Sequence, residues 1–173
     1  MKGGGVLLIL ALLAAAAIAG ADQLIKHWVM ANMTLGEDRE FLRIGSVDLF
    51  HLHYIENKGA IFSSFSGQRV LLLTVTTIGI LLMLYLLIAR SKGKPLLRIC
   101  LTMILGGAVG NFIDRAFHGG SVVDYLDVQL FDFAVFNFAD CFVTVGTVLL
   151  FLYILFFMDR QKPEAKDDSG SDA

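Results

Sequence analysis

The sequence predicts an all-α membrane protein: four transmembrane helices with a small extracytoplasmic β-sheet and a short interfacial helix. Three observations carry this expectation. The 173-residue chain is 56% hydrophobic with a mean hydropathy of +0.70, too apolar for a soluble domain of that length. Four stretches, residues 6–25, 70–89, 96–113 and 138–158, reach or approach the roughly 20 apolar helical residues that cross a hydrocarbon core about 30 Å thick. Between the second and third lies a short connection holding Arg90, Lys92, Lys94 and Arg98, the charge bias of a cytoplasmic loop.

The first span runs from Val6 to about Ile25. Lys2, the apolar run and Ala19-Gly20-Ala21 also fit a cleavable secretory signal, but cleavage would leave three spans and remove Asp22, so a retained span is expected. The outer loop, residues 30–69, contains VDLFHLHYIEN, whose alternation predicts short strands. It also contains AIFSSFS, which predicts a short helix resting on the membrane surface. In the third span, Gly106 and Gly110 of GGAVGN are spaced to let a neighbouring helix approach closely. The second outer loop, residues 114–137, carries GGSVVDYLD, in which Gly119 and Gly120 permit a tight turn before an extended Val122–Tyr125. Residues 1–158 form a single integral membrane domain in this reading. Residues 159–173, ending in acidic, Ser/Gly-rich KDDSGSDA, form a disordered cytoplasmic tail.

With the basic connection inside, both termini lie inside and both long loops outside. The polar residues of the spans then fall at one level. Asp22 ends the first span, Asn111, Asp114 and Arg115 end the third, and Asn137 and Asp140 begin the fourth. An ionised side chain costs at least about 2.5 kcal/mol at the bilayer centre and less near the interface. Asn111 and Arg115, four apart, share a helical face, as do Asn137 and Asp140, three apart. A loop returning from Arg115 to Asn137 stays near the same surface, which permits Asp124 to approach Asp140.

Other chemistries are weaker. The net charge of −2, without a basic stripe interleaved with aromatics, gives no reason to expect a nucleic-acid partner. Cys100 and Cys141 lie in apolar spans and read as small buried hydrophobes. His51 and His53 lack a third metal ligand at suitable spacing and read as solvated residues. Ser63, Ser64 and Ser66 near Lys58 lack a positioned base, and no HExxH motif is present. A proton or cation relay prefers carboxylates at several depths, whereas the middles of these spans are uncharged. A non-catalytic adaptor, with acids that only cap helices or pair with Arg115, is the remaining rival.

The ordered blocks DQLIK (22–26), ENKGAIFS (56–63), GGAVGNFIDR (106–115), VVDY (122–125) and FNFAD (136–140) resemble the lipoprotein signal peptidase family, signal peptidase II. The resemblance covers most of the chain. It implies that Asp124 and Asp140 are a catalytic dyad, and that Asp22, Asn57, Gly59, Asn111, Arg115 and Asn137 bind substrate or support the dyad. It implies an intramembrane aspartic endopeptidase that removes the signal peptide from diacylglyceryl-modified prolipoproteins, cutting before the lipidated cysteine without metal or cofactor. The implied setting is a monomer in the bacterial inner membrane, in contact with membrane lipid, with its site near the periplasmic face. Lys58, Ile61 and Tyr125 depart from the commoner pattern and bear on substrate detail. The chemistry suits the residue types, because two neighbouring carboxylates do not ionise together easily and so divide the roles of acid and base.

Overall fold

The computed structural model describes residues 3–59 and 68–157. In chain order these form α1 (Gly3–Asn32), β1 (Asp38–Ile44), β2 (Val47–Asn57), α2 (Arg69–Arg90), α3 (Pro95–Phe117), β3 (Val122–Val128) and α4 (Phe138–Phe157). All four helices are long and apolar enough to cross a membrane. The strands make one antiparallel sheet in the order β1-β2-β3. The expected interfacial helix and tail fall outside the described residues, as do Ser63, Ser64 and Ser66.

The central helix is α3, which packs against α1, α2 and α4. Its glycines explain how. A Cβ on Gly106 would lie 2.8 Å from Ile18 Cβ and 2.9 Å from the Ala15 carbonyl oxygen, and one on Gly110 would lie 2.6 Å from Asp22 Oδ2. The pair four residues apart therefore forms the bed for α1, as its spacing predicts. Gly107 serves another neighbour, since a Cβ there would run into the Ala139 carbonyl of α4. Small residues on two faces let three polar helix ends meet without a wide gap.

Helix α1 continues past its apolar window to Asn32. The extension has a packing reason: Val29 and Met33 are buried with Tyr54 of β2 and with Val123 and Tyr125 of β3. This small core fixes the sheet on the bundle, at the end where α1 and α3 finish and α4 begins. A separate cluster of Ala11, Ala15, Leu87, Leu101 and Leu105 holds the middle of the bundle.

The VDLFHLHYIEN stretch is one 11-residue strand, β2, with an irregularity between Leu52 and Ile55. Its outer partner β1, not anticipated as a separate strand, is exposed along its whole length. Gly119 and Gly120 take φ of 65° and 96°, the left-handed conformations that glycine adopts without strain. They turn the chain from α3 directly into β3.

Candidate active site

The start of α4 accounts for the carboxylate that precedes its apolar run. Asn137 is the residue before the helix, and its Oδ1 accepts the Asp140 N–H at 3.0 Å while Asp140 Oδ2 accepts the Asn137 N–H at 3.2 Å. This reciprocal pairing is the capping-box arrangement with Asn and Asp in its two roles. The Phe138 N–H donates to the Tyr125 hydroxyl at 3.2 Å and the Ala139 N–H to Asp22 Oδ1 at 3.0 Å. Backbone donors that a helix start leaves open are thus satisfied by side chains from β3, α1 and α4 itself. The positive end of the α4 dipole also faces Asp140.

Asp124 reaches the same place from β3. It is only 2% exposed; its Oδ1 accepts Asn137 Nδ2 at 2.6 Å and its Oδ2 accepts Asn57 Nδ2 at 3.0 Å. Asp140 Oδ1 accepts Asn111 Nδ2 at 2.7 Å. Asn137 therefore touches both aspartates, and both line a cavity of about 510 Å³. Asn57, Asn111 and Arg115 share its polar end, while Val122, Phe133, Val135, Phe136 and Val143 make the rest apolar. Burial first, and the neighbouring Asp140 charge second, push the Asp124 carboxyl up to about 7, against the opposing hydrogen bonds from Asn57 and Asn137.

The turn after β2 closes one side. The Gly59 N–H donates to Asn57 Oδ1 at 2.9 Å, and Arg115 Nη2 donates to the Gly59 carbonyl at 3.2 Å. Arg69, at the start of α2, donates to the carbonyls of Arg115 and Ala116 at 3.2 and 2.7 Å. A cation thereby caps the α3 C-terminus.

Of the eight residues singled out in the sequence, Asn57, Asn111, Arg115, Asp124 and Asp140 line the cavity, and Gly59 and Asn137 are hydrogen-bonded to residues that do. Asp22 does not line it: it lies behind α4, fully buried, paired with Lys26 at 2.9 Å. Sequence reasoning assigned no role to Lys26 or Gln23 and left Asp114 unassigned. Lys26 Nζ lies 2.9 Å from Asp114 Oδ2 and donates to Asn111 Oδ1 at 2.9 Å. Gln23 Nε2 donates to Asp114 Oδ1 at 2.7 Å, and Asp114 Oδ2 accepts the Val123 N–H at 3.1 Å beside Asp124. The available signal was Asp22 and Lys26, four apart in an apolar helix. Cys100 is buried, whereas Cys141 is half-buried and borders the cavity. His51 is on a strand and 2.8 Å from Asp38; among the described residues no three His, Cys, Asp or Glu side chains group as a metal site.

Comparisons with known proteins agree on one family. Residues 14–156 match the family described as "Signal peptidase (SPase) II". The chain is 42% identical over 135 residues to the lipoprotein signal peptidase of Lactococcus lactis subsp. cremoris (strain MG1363), covering 78% of this chain and 86% of that protein. It is 38% identical over 150 residues to that of Brevibacillus brevis (strain 47 / JCM 6285 / NBRC 100599), covering 87% and 96%. Its fold resembles a bacterial membrane enzyme structure obtained by the in meso method at 2.3 Å, with a TM-score of 0.81, 26% identity and coverage of 90% and 93%. A second such structure gives a TM-score of 0.74 at 28% identity, covering 85% and 93%. Match and fold extend across nearly all of the membrane domain, and the chain belongs to the signal peptidase II family of membrane-embedded aspartic peptidases that process lipoproteins.

Proposed function

We propose that Asp124 and Asp140 are the catalytic dyad and that together they activate one water to cut a prolipoprotein before its diacylglyceryl-modified cysteine. The observation that carries this reading is the meeting of two carboxylates, from β3 and α4, on one cavity with Asn137 bonded to both. With Asp124 raised to about 7, the pair holds one proton near neutral pH, and that proton belongs to the pair as a unit.

In the first step the ionised carboxylate takes a proton from water as the water oxygen bonds to the scissile carbonyl carbon. The protonated carboxyl donates to the carbonyl oxygen, giving a tetrahedral intermediate. On collapse the C–N bond breaks, the leaving nitrogen takes a proton from the acid that received it, and the carbonyl returns its proton to the pair. Asn57, Asn111 and Asn137 hold the carboxylates, and Arg115 balances their charge while tying down Gly59.

The polar and apolar ends of the cavity suit a peptide bond beside a lipidated side chain. The basic residues Arg90, Lys92, Lys94 and Arg98 at the opposite end of the bundle favour a periplasm-facing site with both termini cytoplasmic. A monomer embedded among membrane lipids holds every residue of the proposed site. The test is a gel-shift assay of the purified chain with diacylglyceryl-modified and unmodified forms of one prolipoprotein. Cleavage of the modified form alone, before the cysteine, is expected. Equal cleavage of both forms, or of neither, overturns the substrate assignment.

A further inference from the structure

We infer that Lys26 is a positioning residue for the proposed dyad: its buried ammonium dictates which way the Asn111 amide points, and through it how Asp140 is held. The inference rests on the dyad reading above.

Lys26 is 0% exposed on α1 and meets Asp22 Oδ2, Asp114 Oδ2 and Asn111 Oδ1, each at 2.9 Å. A lysine head has donors and no acceptor, whereas an asparagine amide has both. Asn111 must therefore turn its oxygen to Lys26. Its nitrogen is left facing the other way, where it donates to Asp140 Oδ1 at 2.7 Å. Asn137 Nδ2 reinforces the choice, lying 3.0 Å from the same Asn111 oxygen and 2.6 Å from Asp124 Oδ1. A flipped Asn111 would set its NH2 against two donors and its carbonyl against a carboxylate. One cation outside the cavity thus orders a chain of amides ending on both aspartates.

A duller role is as counter-ion for Asp22 and Asp114. Lys26→Met alone would leave those two buried carboxylates without a cation, which is strongly destabilising. The informative protein is Lys26→Met/Asp22→Asn/Asp114→Asn, which buries no unpaired charge, keeps an oxygen at position 22 for the Ala139 N–H and removes the directing donor. Its reference is Asp114→Asn, in which Lys26 stays paired with Asp22 and in contact with Asn111, so that neither protein leaves a buried charge alone.

Thermal unfolding, kcat and KM are measured for both variants and the unchanged chain, in detergent with a diacylglyceryl-modified prolipoprotein. A small misplacement of a reacting group is worth up to about 100-fold in rate, so kcat of the triple variant is expected to fall about 100-fold below Asp114→Asn. KM is expected to stay within about threefold and the unfolding midpoint to match the reference. Equal kcat in the two variants overturns the assignment. So does an unfolded triple variant, or parallel losses in kcat, KM and midpoint, because these mark a structural cation. Every arm retains Asp124 and Asp140, so failure here leaves the dyad standing; turnover by dyad variants would instead sink the dyad.

Discussion

Asn137 and Asp140 cap the same helix by exchanging hydrogen bonds, 3.0 Å in one direction and 3.2 Å in the other. The exchange sets the position of the Asp140 carboxylate with backbone geometry, and the Asn137 side-chain NH2 donates to Asp124 at 2.6 Å and to Asn111 at 3.0 Å. One residue therefore joins helix initiation to the spacing of the two acids.

Asn137→Ala removes both functions. Loss of an N-cap side chain costs about 1 kcal/mol, so the unfolding midpoint in detergent falls modestly. Turnover falls further, by about 10- to 100-fold, because both carboxylates lose a positioning partner. A variant that loses stability but keeps full turnover contradicts the bridging role.

The raised Asp124 carboxyl predicts two pH effects. A folded-state value near 7, against an ordinary 3.8, means that the folded protein retains a proton the unfolded chain has released between these values. Stability from this group is present below about pH 4 and is lost as pH rises through about 7, a loss on the order of a few kcal/mol. Thermal unfolding followed from pH 4 to 8 should show this decline, and Asp124→Asn should flatten it. Activity should also fall above pH 7 as the pair gives up its shared proton. A decline unchanged in Asp124→Asn contradicts the assignment.

Close helix approach predicts a contrast among glycines. Gly110→Ala drives a methyl to 2.6 Å from Asp22 Oδ2 and 3.3 Å from Ala139 Cβ, and overpacking of this kind costs about 1–3 kcal/mol. Gly79→Ala on α2 meets nothing within 4 Å and should stabilise its helix by up to about 1 kcal/mol. Unfolding midpoints of the two variants should move in opposite directions. Equal effects would show that the GGAVG stretch does not set the distance between α1 and α3.

Much of the fold was legible because a bilayer imposes simple rules: span length, charge bias and small residues at contacts are written locally. Gly106 and Gly110 could be read as a helix bed from spacing alone. The end of α1 could not, because Val29 and Met33 are held by Tyr54, Val123 and Tyr125, residues distant in sequence. In the site, the shared level of Asn111, Asn137 and Asp140 followed from topology. The meeting of Asp124 with Asn137 depends on β3 pairing with β2 and on the bridge between Leu126 and Phe136, which no local pattern encodes. The place of Lys26 is not written locally: a lysine near a helix end ordinarily extends to the interface, whereas here Asp22, Asp114 and Asn111 surround its head.

The most direct measurement compares cleavage of a diacylglyceryl-modified prolipoprotein by the unchanged chain, Asp124→Asn and Asp140→Asn, with folding of each checked by thermal unfolding. Removing one member of an acid–base pair is worth about 100- to 10,000-fold. The account predicts that each amide variant folds and loses at least about 100-fold in turnover. A folded variant of either kind that still cuts near the unchanged rate would contradict it.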